Sequence, residues 1–195
     1  MSLLGLSSGS GSYIRFSPSV NSWMLGKDEI TLKKVLFDLD SVKTGWGLMA
    51  EGQAPVWVWD DAIGRRAMKP EGEFKRGFSV RVYLGPSKGW AEWSSTGTGP
   101  CMGFEALFDV AAKDRDANPG QALVAAYQGS RAEKVGKGNT RVPLFEIMGW
   151  AEKPADGDED DEAPAPVRAA PPATGSKAVP PPSKKAAAED LSDFG

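Results

Sequence analysis

The stretch Phe74-Lys75-Arg76-Gly77-Phe78-Ser79-Val80-Arg81-Val82-Tyr83-Leu84 decides how this chain is read. From Phe78 onward the apolar residues alternate strictly. Phe78, Val80, Val82 and Leu84 fall on one side, and Ser79, Arg81 and Tyr83 on the other. That period of two marks a strand with one face in a core and one in water. The wet face carries a cation and an aromatic ring, with Lys75 and Arg76 just upstream. A single-stranded nucleic acid needs both groups, charge for its phosphates and a flat π-surface for its bases. An ordinary amphipathic strand, solvated by an exposed Arg and Tyr, has the same pattern, so the rest of the chain must decide between them.

Upstream, Tyr13-Ile14-Arg15-Phe16 repeats the arrangement, with Ile14 and Phe16 inward and Tyr13 and Arg15 outward. Trp23-Met24-Leu25-Gly26 leads into a turn at Lys27-Asp28, and Leu32 to Leu39 reads as a strand with Val35, Phe37 and Leu39 on one face. Gly45-Trp46-Gly47-Leu48-Met49 is a strand whose glycines admit another backbone or a ligand. In Val56-Trp57-Val58-Trp59 the valines face one way and the indoles the other. The indoles are either core or a stacking platform, with burial favoured for at least one. Asp61 to Gly72 is a polar loop holding Arg65, Arg66 and Lys69.

Downstream, Pro86-Ser87-Lys88-Gly89 is a turn and Trp90 to Ser94 pairs back as a hairpin arm. Thr98-Gly99-Pro100 opens the one convincing helix, with Pro100 as its first helical residue. Cys101, Phe104, Leu107, Phe108, Ala111 and Ala112 form its apolar stripe, and Asn118-Pro119-Gly120 ends it. Leu123 to Tyr127 and Val142 to Trp150 are two further strands, with Pro143 at a strand start or an edge. Arg131 to Arg141, carrying Arg131, Lys134, Lys137 and Arg141, is the loop between them. The expectation is a mainly β body of five to seven strands and one helix, its turns spaced as in a small barrel.

Composition bounds the function. The net charge of −3 over 195 residues hides an asymmetry: residues 151–195 hold five basic and ten acidic groups, leaving a body at +2. A basic body on an acidic tail suits a nucleic-acid binder whose tail meets other proteins. The chain contains no His, which removes the commonest general base, the usual zinc ligand and every Ser–His or Cys–His nucleophile. The one Cys, Cys101, cannot make an intrachain disulfide and reads as a small core residue. Neither glycine segment, Gly97 to Pro100 or Gly136 to Thr140, has phosphate-loop spacing. We therefore expect no enzyme, no metal and no cofactor. The start lacks a signal-peptide pattern, and no window approaches the ~20 apolar residues of a membrane span, so a cytoplasmic protein without membrane contact is expected.

The chain divides into a Ser/Gly-rich arm at 1–12, a body at 13–152 and a tail at 153–195. The tail holds an acidic block from Asp156 to Glu162, Pro-rich stretches and no aromatic ring before Phe194. Such a composition does not fold alone. Its last residues return to acid plus apolar side chains: Asp190, Leu191, Asp193 and Phe194.

With those residues in place, the chain resembles bacteriophage single-stranded DNA-binding proteins. Lys43-Thr44-Gly45-Trp46, Lys75-Arg76-Gly77-Phe78, Ser94-Ser95-Thr96 and Pro143 to Trp150 are similar to stretches of phage proteins with early replication functions. The tail is similar to the acidic, Pro-rich ends of bacterial and phage proteins of that class, although here Gly195 follows Phe194. The resemblance implies an OB-type barrel with a strand of DNA across one face. It also implies replication or recombination proteins as partners of Asp190, Leu191, Asp193 and Phe194, while the oligomeric state stays open. The candidate DNA-binding residues are Tyr13, Arg15, Trp57, Trp59, Lys75, Arg76, Arg81 and Tyr83, with Lys134 and Lys137 behind them. The alternative is a phage structural or assembly protein, with the same rings in protein interfaces and the tail as a tether.

Overall fold

The computed structural model describes residues 12–49 and 54–155. Nine strands form one sheet: β1 (Ser12–Ser17), β2 (Ser22–Leu25), β3 (Asp28–Ile30), β4 (Lys34–Leu48), β5 (Val56–Trp59), β6 (Lys75–Tyr83), β7 (Trp90–Ser95), β8 (Gln121–Val135) and β9 (Gly138–Glu152). One helix, α1 (Thr98–Arg115), follows β7. The strand order is β3-β2-β1-β7-β6-β4-β8-β9, and β5 adds to β4. Every pairing is antiparallel except that of β1 with β7. The mainly β architecture with one helix is as expected, and the sheet curls into a half-barrel. It has more than the five to seven strands expected.

The miscounts have local causes. β3 is three residues long, too short for alternation to register. Two expected strands fuse into β4, because its register shifts between Asp38 and Lys43 and the apolar alternation breaks there. A bulge inserts residues on one strand, bends it and increases its twist. Ser41 fastens this one: its hydroxyl donates to the Asp38 carbonyl at 2.6 Å and accepts from the Arg81 N–H at 2.8 Å. The expected loop from Arg131 to Arg141 is instead the end of the β8–β9 hairpin, closed by a two-residue turn at Gly136-Lys137. Gly136 takes φ 58°, which glycine adopts without steric cost. The arms are polar on both sides near the tip, so no period of two was present to read.

The inner face of the curl is the core. Phe78, Val80 and Val82 of β6 are buried there, with Ile14, Phe16, Phe37 and Trp93. α1 closes over them, its Phe104 ring stacked on Phe78 at 4.3 Å and 14°. Two glycines let the helix approach β9: a Cβ on Gly99 would strike the Arg141 carbonyl, and one on Gly103 the Pro143 carbonyl. Pro100 is the third helical residue rather than the first, and a first-turn N–H has no intrahelical partner to lose at either position. Of the expected stripe, Ala112 is exposed. The indoles in the core are Trp23 and Trp93, and neither Trp57 nor Trp59 joins them. No helix among the described residues is long and apolar enough to cross a membrane.

Gly103→Ala should lower unfolding free energy by about 1–3 kcal/mol through overpacking at the Pro143 carbonyl. Phe104→Ala should cost about 3–5 kcal/mol. Urea titration followed by far-UV circular dichroism measures both.

Candidate nucleic-acid interface

The outer face of the sheet follows from register. Ile14 and Phe16 are buried, so Tyr13 and Arg15 point the other way. Tyr13 lies opposite Glu92 of β7, and Glu92 opposite Arg81 of β6. Trp90 pairs with Tyr83, and Ser94 with Ser79. On the far side of β6, Arg81 faces Asp38, Ser79 faces Lys43 and Gly77 faces Gly45. β5 then adds Trp59 beside Gly45 and Trp57 beside Gly47. Neighbours in this lattice lie ~4.8 Å apart between strands and ~7 Å apart along one.

Two ring clusters stand on that face. Trp57 and Trp59 stack on each other with centroids 4.4 Å apart and planes 8° from parallel. They lie on a bed of glycines: a Cβ on Gly47 would come 2.8 Å from Trp57 Cζ3, and one on Gly77 2.9 Å from Trp57 Cη2. The close approach that Gly45 and Gly47 were expected to permit is thus made by the protein's own indoles. Lys43 Nζ sits 5.9 Å from the Trp59 ring centroid. In the second cluster Tyr83 and Trp90 are 5.4 Å apart and tilted by 58°, with the Arg81 guanidinium 4.9 Å from the Trp90 ring.

Carboxylates also reach the face. Glu92 accepts a hydrogen bond from the Ser79 hydroxyl at 2.7 Å. Asp38 and Asp40 are bridged by Lys153 Nζ at 2.6 and 2.8 Å, and Arg115 donates to Asp40 at 2.7 Å. Lys153, then Arg115, hold the Asp40 carboxyl below its usual range. The Pro154 carbonyl accepts from Trp90 Nε1 at 3.1 Å, so the chain leaving β9 crosses this same face. Lys153 and Pro154, expected in the tail, pack against the body.

Of the candidate residues, Tyr13, Arg15, Trp57, Trp59, Lys75, Arg81 and Tyr83 share the outer face. Arg76 does not. It alternates with Gly77 and therefore turns inward with Phe78, where its two terminal nitrogens meet Asp60 at 2.8 and 2.5 Å. The Asp60 side chain, 1% exposed, also accepts from the Thr44 hydroxyl at 2.6 Å and the Ala67 N–H at 2.8 Å. Arg76 holds the Asp60 carboxyl far below the usual carboxylate range. Its guanidinium lies 5.2 Å from the Trp46 ring and lines an inner groove of about 410 Å³ with Arg66, Cys101 and Phe108. Lys134 and Lys137 are exposed at the tip of the β8–β9 hairpin, apart from the β1–β7–β6–β4 face. Asp190, Leu191, Asp193 and Phe194 lie outside the described residues, as do residues 1–11 of the expected arm.

Sequence reading left Lys43, Ser79 and Trp90 out of the candidates, although the fold sets all three on the outer face beside them. Their signal is cross-strand register, which pairs Trp90 with Tyr83 and Lys43 with Ser79 only after folding. Burial, reinforced by Glu105, pushes the Cys101 thiol up to about 11, which leaves it protonated and weakly nucleophilic. Among the described residues no group of three His, Cys, Asp or Glu side chains converges to hold a metal. No protein-family model, curated protein or solved structure matches the chain.

Asp60→Asn should lower stability by about 1–3 kcal/mol at pH 7, because Arg76 loses its charged partner and the loop its clip. The native carboxyl is depressed, so its stabilisation is complete above the unfolded value near ~3.9 and fades as pH falls below it. The stability gap between wild type and Asp60→Asn should therefore shrink between pH 7 and pH 3, as read by urea midpoints at each pH.

Proposed function

We propose that this chain is a non-catalytic single-stranded DNA-binding protein that coats exposed strands during phage DNA replication or recombination. The observation that carries this reading is the sharing of one sheet face by two ring clusters and four cations, Arg15, Lys43, Lys75 and Arg81. Bases stack on the rings and phosphates meet the cations, a division indifferent to sequence. Glu92, in the middle of the face, favours the amino edge of a base above it over a phosphate.

The connectivity supports an OB-type plan. Within the set β4, β6, β7, β8 and β9, the long, bent strand β4 pairs with both β6 and the strand after the helix, β8, and α1 lies between the third and fourth members. On this plan β1 to β3 are an addition, and β1 takes the parallel place beside β7. The acidic block begins two residues after Pro154, which is bonded to Trp90 on the proposed DNA path. The block competes with DNA for the cations at low salt, and the acidic-apolar end recruits replication or recombination proteins.

Titration with an oligothymidylate should quench tryptophan fluorescence, and no change at saturating oligonucleotide removes the reading. With about four phosphates neutralised, log K should fall against log salt with a slope of about −3, and Lys43→Ala should reduce that slope by about 0.7. Trp90→Ala should weaken binding by about 1–3 kcal/mol, roughly 5- to 150-fold. Removing residues 156–195 should tighten binding at low salt and leave it unchanged at high salt, and an equal affinity at low salt removes the competing role of the tail.

A further inference from the structure

We propose that the open edge of β5 pairs with β5 of a second copy of this chain, antiparallel and centred on Val58. Among the described residues β5 has one neighbour, β4. The Asp60 N–H donates to the Thr44 carbonyl at 2.9 Å, in the register that sets Val58 opposite Trp46 and Val56 opposite Leu48. Hydrogen-bonded pairs alternate along an antiparallel ladder. The main chains of Val56 and Val58 are therefore engaged by β4, while Trp57 and Trp59 turn their N–H and C=O groups to the open edge. At the next outward position Pro55 has no N–H to offer, so the usable edge is limited to Trp57 and Trp59.

That edge is complementary to itself. A two-fold axis at Val58 sets Trp57 of each copy against Trp59 of the other, and each such pair exchanges two main-chain hydrogen bonds. All edge groups of both strands are then satisfied. On one side of the joined ribbon the two Val58 side chains meet on the axis, and Val58 is 37% exposed in the single chain. On the other side the four indoles become neighbours, extending the ring-bearing face from one copy into the next. Charge does not oppose the pairing: Asp61 falls opposite Pro55, and the Asp60 carboxylate that falls opposite Val56 is held inside its own protomer by Arg76. A four-residue edge buries less than the ~1,200 Å² at the lower end of stable interfaces, so the pairing is weak and concentration-dependent.

The inference does not rest on DNA binding, and its test contains no DNA. In the full chain carrying Cys101→Ala, Val58→Cys and Val56→Cys are oxidised under matched conditions. Residues 58 of the two copies form a non-hydrogen-bonded pair with Cα atoms ~4.5 Å apart, within disulfide reach, whereas residues 56 lie ~13 Å apart. Val58→Cys should cross-link on the order of tenfold faster than Val56→Cys through its raised local concentration. Sedimentation equilibrium of the wild type should show reversible dimers, and Val58→Lys, which opposes two like charges on the axis, should abolish them. Equal cross-linking of the two cysteine variants, assemblies larger than dimers, or dimers that survive Val58→Lys would each overturn the proposal. If Val58→Lys fails to fold, the cysteine comparison still decides.

Discussion

The bend in β4 is the constraint on which the rest of the molecule depends. A strand of 15 residues cannot stay straight and also serve β6 along its length, β8 at one end and β5 at the other. The bulge between Asp38 and Lys43 resolves this by turning the second half of the strand, and Ser41 ties the turn to β6 through the Arg81 N–H. The inner side of the resulting curl is narrow enough for one helix to close, with Phe104 set among Phe78, Phe37 and Trp93. The outer side is left as one broad surface, whose side chains are those that alternate with the core. The proposed DNA path is the complement of the hydrophobic core.

Glycine decides what that surface carries. Gly45, Gly47 and Gly77 occupy outer-face positions, where side chains would collide with Trp57 or Trp59. Their absence of a Cβ lets two large rings lie close against the sheet, so the rings are half-buried without entering the core. Behind them, Asp60 clips the following loop to β4 and β6 through Thr44, Ala67 and Arg76. A buried carboxylate is tolerable only because every one of these partners donates to it. The same arrangement consumes Arg76 structurally, although beside Lys75 in sequence it looks like a second phosphate contact.

Much of this was legible before folding. Alternation in Phe78 to Leu84 identified the core face of β6 and its opposite, and the same argument holds for Ile14 and Phe16. The break at Asn118-Pro119-Gly120, just beyond Arg115, and the stripe through Phe104 marked the helix, because backbone conformation and apolar spacing are local properties. Where chemistry was on both faces, or alternation was interrupted, the reading failed: the β8–β9 tip passed for a loop, and β4 for two strands. The valine–tryptophan run was readable as a strand, but not for where its rings go, since that depends on glycines in two other strands.

The sequence by itself determined which residues alternate, where the chain turns, and that no His is present, since each follows from side-chain identity and short-range geometry. Only the tertiary structure decided which strands lie side by side. Lateral order brings Trp90 to Tyr83, Lys43 to Ser79 and Tyr13 to Glu92, residues as far apart as 79 positions in the chain. It also brings Asp60 to the inward-facing Arg76 and, among the described residues, leaves the β5 edge open. Contacts of that range are selected by the joint burial of one core, a sum over the whole body that no local window contains.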